Sequence, residues 1–190
     1  MIKQTLMETL TMLATSTPET ALLLKKLFVP VFFRKGTLFH IHERASPMLY
    51  FIETGLVRGY FYYKQEEYTA WLMESGFLLP AAGFFTKVPA IEYVHFLTDT
   101  NGSSLNLEIA VALAQEHPLL YRMLLEIYER DLQAGKHREL MLRLKLAENR
   151  FLYAREICGK LFFKVVNPVM ASFMNIEKKY IFKFKKIHRK

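Results

Sequence analysis

The chain has 190 residues, 52% of them hydrophobic and 23% charged, with a formal net charge of +8, which suits a globular protein of one large and one small domain. Its longest apolar run, Phe77 to Phe85, contains Pro80 and Gly83, whereas a bilayer span needs about twenty unbroken apolar residues, so no membrane partner is expected. One cysteine, Cys158, excludes an internal disulfide and a Cys-ligated iron–sulfur cluster, and a cytoplasmic location is expected.

In chain order, Ile2, Leu6, Leu10 and Leu13 fall at helical spacing and predict an amphipathic helix over residues 2–14. Lys3 is followed by Glu8 and several threonines, so no export signal is expected. Thr17 before Pro18 and Glu19 is an N-cap with proline at the first helical position. It predicts a second helix to about Phe28, which Pro30 ends.

From Val31 to Leu107 the period changes to two. The segments VFFRKGTLFHIH, MLYFIETGLVRGYFYY, EYTAWLM, IEYVHFLTD and SLNLEI read as short strands. Turn residues separate them, among them Lys35-Gly36, Ser46-Pro47, Thr54-Gly55 and Asn101-Gly102. About seven such strands predict an antiparallel barrel or jelly roll. Between Phe77 and Ala90 the alternation fails, and a short helical turn within the roll is expected.

Glu108 to Glu116 reads as a helix, and Pro118 opens a longer one to about Leu146. Leu120, Leu124, Ile127, Asp131 and Ala134 follow one face of it, with Met123, Tyr128 and Leu132 alongside. That apolar surface is wider than one roll can cover, which predicts a seam with a second copy of the chain. Gly135 weakens the helix and is the expected site of any kink.

Ala147 to Cys158 is a further helix, ended by Gly159. From Lys145 to Lys190, twelve Lys and Arg stand against three Asp and Glu, a net +9. Residues 1–144 are therefore close to neutral. A basic block on a neutral body asks for a polyanion, nucleic acid before membrane.

The last stretch, NPVMASFMNIEKKYIFKFKKIHRK, has helix-turn-helix spacing. Ala171 is the small residue needed where two helices touch. Asn175, four positions on, tolerates a left-handed turn. Met170, Met174, Ile176, Ile181 and Phe184 fall where the crevice between the helices must be filled. The outward face of the second helix carries Lys178, Lys179, Lys183 and Lys186, with Tyr180 and Phe182 among them. These six are the expected contacts to double-stranded DNA. Two features favour backbone attraction over sharp base reading. No Arg lies between Lys160 and Arg189, and Phe182 stands where a short polar residue is more usual. With so few residues after the second helix, no β-wing is expected.

Helices, β-roll, long helix and C-terminal helix-turn-helix, in that order, resemble the Crp/Fnr family of bacterial transcription regulators. The local carriers are KGTLF, LYFIETGLVRGYF, the helix after HPLLYRML, LKLAENRFLYA and VMASFMNI. The resemblance implies an α+β chain. Residues 1–117 would form a cyclic-nucleotide-binding-like β-roll of jelly-roll type. Residues 118–146 would form a dimerisation helix, and residues 147–190 a wingless DNA-binding domain. It implies a homodimer that regulates transcription. The sequence has no nucleophile–base pattern, phosphate-binding loop or pair of catalytic carboxylates, so no enzyme is expected.

The family's ligand motif does not carry over. Nucleotide-binding members place a Gly-Glu pair and then an Arg-Ser or Arg-Thr pair around the cyclic phosphate. The matching pocket residues here are Leu79, Pro80, Ala81, Ala82 and Gly83, followed by Ala90 and Ile91. Leu79-Pro80 stands in place of Gly-Glu, and Lys87 is the one basic residue nearby. A cyclic phosphate would be poorly neutralised, so no cyclic nucleotide or other cofactor is expected, and an effector, if one exists, is an unidentified small molecule. His40 and His42 share a strand face beside Glu43, as in cupin metal sites, but Pro47 stands where a ligand Glu would be needed and His95 is the one later His in the roll. No metal is expected. The alternative to a specific regulator is a small-ligand-binding module with weak or nonspecific DNA binding.

Overall fold

The computed structural model describes residues 5–40, 47–78 and 91–188. Helix α1 (Leu6–Thr11) starts at a capping box in which Thr5 and Glu8 bond each other's backbone N–H. It is shorter than its apolar spacing predicts. The Thr11 hydroxyl donates to the Met7 and Glu8 carbonyls, and such hydroxyls compete with helix continuation. Leu13, just beyond the end, is still buried. Helix α2 (Pro18–Lys26) is capped by Thr17 as expected.

Among the described residues eight antiparallel strands follow: β1 (Val29–Phe33), β2 (Leu38–His40), β3 (Met48–Thr54), β4 (Val57–Tyr63), β5 (Glu66–Met73), β6 (Gly76–Leu78), β7 (Tyr93–Phe96) and β8 (Thr100–Asn106). They form two four-stranded sheets, ordered β1-β8-β3-β6 and β2-β7-β4-β5, the connectivity of a jelly roll. Pro30 lies inside β1, not in a connection after α2. It is tolerated because β1 is an edge strand and needs no ladder donor on its outer side. The β4–β5 turn is the two residues Lys64 and Gln65, both with positive φ, the backbone that matches the twist of a hairpin.

β3 shows how the strand alternation builds two cores. Ile52 faces into the roll with Val57, Leu78, Val94 and Phe96. There Phe33 stacks on Phe96 at 4.2 Å between ring centroids, and Phe39 meets Phe96 edge-on at 5.2 Å. Leu49 and Phe51 face the other way, into a core shared with α1, α2 and two later helices.

Those two are α3 (Leu107–Glu116) and α4 (Pro118–Arg143). Asn106 caps α3 by accepting from the Glu108 N–H at 2.8 Å. Leu107 to Ile109 are therefore the first turn of a helix and not the end of a strand. Helix α4 continues unbroken through Gly135. Leu120, Met123, Leu124 and Ile127 are buried within the chain against α1–α3 and β3, so this face is not free to form a seam. Asp131 and Ala134, placed on the same face, are exposed. A second apolar stripe is left on the opposite side: Leu125 and Leu132 are each 67% exposed, with Tyr128 half-buried between them.

Helix α5 (Ala147–Cys158) ends at Gly159, whose φ of 52° and ψ of −124° suit glycine alone. A short helix α6 (Leu161–Lys164), which has no clear sequence period, inserts Phe162 into the C-terminal core. Helices α7 (Asn167–Met174) and α8 (Lys178–Ile187) complete the chain. Among the described residues no helix is long and apolar enough to cross a membrane.

Candidate nucleic-acid interface

Helices α7 and α8 are joined by a tight turn at Asn175, a helix-turn-helix. Asn175 ends α7 in the left-handed conformation, φ 51° and ψ 53°. Its N–H bonds the Ser172 carbonyl, and the Ile176 N–H reaches back to the Ala171 carbonyl at 3.0 Å, so the orphan carbonyls of the helix end are used. Met170, Ala171, Met174, Ile181 and Phe184 are buried, and Ile176 is half-buried against them. Asn175 itself is exposed.

This unit is held from several sides. The Arg150 guanidinium donates to the Leu144 carbonyl at 2.8 Å and the Asn175 carbonyl at 3.2 Å, tying the α4–α5 junction to the turn. Arg155 donates to the His188 carbonyl, and the His188 ring lies 2.6 Å from Glu148. The Phe151 ring meets Phe162, Phe184 and His188. Lys185 turns inward, donating to Asn167 at 2.7 Å.

The helix-turn-helix also docks on the roll. Ser172 accepts from the Thr69 N–H at 2.8 Å and donates to the Glu67 carbonyl at 3.1 Å. It thereby occupies the open edge of β5, which would otherwise present unpaired backbone groups. Arg138 of α4 donates to the Thr69 carbonyl at 2.7 Å and lies over the Phe173 ring. Lys164 and Glu74 form an ion pair beside this contact. Leu56 of the roll is part of the same core as Phe151 and Met170. None of these side chains carries a local sequence signal, because their partners lie far away in the chain.

What remains facing solvent on α8 is one contiguous strip: Lys178, Lys179, Phe182, Lys183, Lys186 and Ile187. Lys178 and Lys179 sit in the first helical turn, where the helix dipole disfavours cations. Glu177 offsets part of this by pairing with Lys179 at 2.7 Å, and that pairing raises the pKa of the ammonium. Tyr180 differs from the expected contacts. It is half-buried and stacked on Phe184 at 5.7 Å, a part of the crevice more than of the outer face. A strip of exposed ammonium groups on a rigid helix can neutralise phosphates and reach guanine edges.

Of the expected pocket residues, Leu79, Pro80, Ala81, Ala82, Gly83 and Ala90 lie outside the described residues, and Ile91 is 80% exposed. The helical turn expected between Phe77 and Ala90 falls largely on the same undescribed stretch. His42 and Glu43 also lie outside the described residues, and His95 accepts from Arg58 at 3.3 Å, next to the Arg58–Glu67 ion pair. Among the described residues no three His, Cys, Asp or Glu side chains converge as metal ligands. Burial pushes the Cys158 thiol up to about 11, which disfavours the thiolate near neutral pH.

No protein-family profile matches the sequence, and no curated protein matches it. Solved structures do share the fold. FixK2 from Bradyrhizobium japonicum is 11% identical with a TM-score of 0.70, the match covering 85% of this chain and 84% of that one. A CooA mutant from Carboxydothermus hydrogenoformans is 14% identical with a TM-score of 0.67, covering 98% and 84%. A putative transcriptional regulator of the Crp/Fnr family from Eubacterium rectale is 14% identical with a TM-score of 0.65, covering 92% and 84%. The chain thus has the Crp/Fnr regulator fold: an α+β structure with a β-roll, a long helix and C-terminal helices.

Proposed function

We propose that this chain is a DNA-binding transcription regulator of Crp/Fnr type that works as a homodimer. The observation that carries the reading is the strip on α8. Four lysines are exposed on one face of a helix whose opposite face is locked into a helix-turn-helix by Asn175 and a filled crevice. The stripe of exposed Leu125 and Leu132 on α4, with half-buried Tyr128 between them, has the spacing of a coiled-coil seam. A two-fold axis along it would present two copies of α8 to half-sites about one helical turn apart. In a parallel pairing Asp131 of one copy falls opposite Lys136 of the other, a charge match that favours the same alignment.

The roll is proposed to act without a cyclic nucleotide, since Leu79-Pro80 and Ala90-Ile91 carry no charged side chain for the phosphate or polar one for the ribose. Calorimetric titration with cyclic AMP and cyclic GMP is expected to show no heat of binding; micromolar affinity would overturn this part.

The test of the main reading is a gel shift of the purified chain on genomic fragments with excess nonspecific competitor. Survival of complexes on a subset of fragments is expected. Loss of every complex to competitor would favour a small-ligand-binding module with nonspecific DNA attraction.

A further inference from the structure

We propose that Phe182 is a base-reading residue, recognising the methyl group of a thymine in each half-site. This rests on α8 being the recognition helix. Phe182 is 63% exposed, although its neighbours Ile181 and Phe184 are buried. It stands in the middle of the lysine strip, one turn after Lys178 and one turn before Lys186. A helix lying along the major groove with its lysines on flanking phosphates would carry this ring towards the base edges. A phenyl ring offers no donor or acceptor for those edges. The one major-groove feature of the standard bases that it complements is the C5 methyl of thymine. An exposed phenyl is unfavourable in water, and covering it with a methyl group removes apolar area from solvent on both sides. The missing arginines fit the same scheme. Lysines supply attraction and register, and a substantial part of the discrimination comes from an apolar contact.

The test starts by enriching binding sites from random duplex DNA with the 190-residue chain. Each thymine of the enriched site is then replaced by deoxyuridine, which removes only the methyl group, and affinity is read by fluorescence anisotropy. One symmetry-related thymine is expected to be sensitive, weakening binding about fourfold per half-site, the scale of one buried methyl. In F182A the thymine and uracil sites should bind alike, while the salt dependence stays that of the wild type because the lysines are intact. F182L, which keeps an apolar surface, should retain part of the preference. Because Phe182 is exposed, both variants should keep the wild-type circular dichroism. An enriched site indifferent to every uracil, or a preference that persists in F182A, overturns the inference and leaves DNA binding standing. If no sequence is enriched at all, this inference and the reading of a specific regulator both fail.

Discussion

Asn175 is the residue on which the interface geometry turns. An ordinary L-residue in the left-handed region costs about 1–2 kcal/mol, and a β-branched one more, whereas glycine is free to adopt it. Asn175→Val is therefore expected to destabilise the chain by about 2 kcal/mol, and Asn175→Gly to change it little, read as the midpoint of urea unfolding. Glu126 gives a second prediction, one that depends on pH. It accepts from the backbone N–H groups of Ala14 and Thr15, from the Thr15 hydroxyl and from Arg130. Burial alone would raise its pKa, but these donors outweigh burial and hold the carboxyl at about 2, below its ordinary 4.5. A depressed carboxylate adds stability that is fully present above the unfolded value and is lost as pH falls towards the folded one. Glu126→Gln should thus lower stability by about 2 kcal/mol at neutral pH, the gap to wild type closing between pH 4.5 and 2. Equal stability of the two proteins at pH 7 would show that the carboxylate is not holding the α1–α2 loop. At this scale, Ala171 and Asn175 were legible because a local spacing rule demands them. Arg150, Ser172 and Lys185 were not, since each bonds a partner chosen by how separate elements dock.

Among elements, the strands were legible as a set and imprecise at their ends. Alternation is readable along β3 because one side faces the aromatic rings of the roll and the other a helical layer. A strand end is hidden where two periods meet. Leu107 to Ile109 continue an apolar alternation, yet Asn106 caps a helix there. Helix α4 left one choice open. Its apolar residues fall into two stripes, and the periodicity alone does not say which one the roll covers. Leu120, Leu124 and Ile127 went inward, leaving Leu125 and Leu132 outside. The proposed seam makes a plain prediction. Leu125→Asp with Leu132→Asp should convert a dimer to a monomer in sedimentation equilibrium without loss of helix content. A wild-type monomer at tens of micromolar would remove the seam.

At the scale of the whole molecule, the basic block and the roll form one structure. The first helix of the helix-turn-helix seals the β5 edge through Ser172, Arg138 braces the same strand, and Leu56 enters the C-terminal core. This arrangement leaves α8 turned outward and its lysines free of the roll. Four of the twelve basic residues behind the charge asymmetry, Lys178, Lys179, Lys183 and Lys186, thereby share one exposed helix face. Whether this face meets DNA phosphates is tested most directly by measuring DNA affinity against salt concentration for the wild type and for the K178A/K179A/K183A variant. The slope of log affinity against log salt should become shallower by about 0.9 for each phosphate that the variant no longer neutralises, with weaker binding on every sequence. The same affinity and the same slope in the variant would contradict a phosphate-binding role for α8.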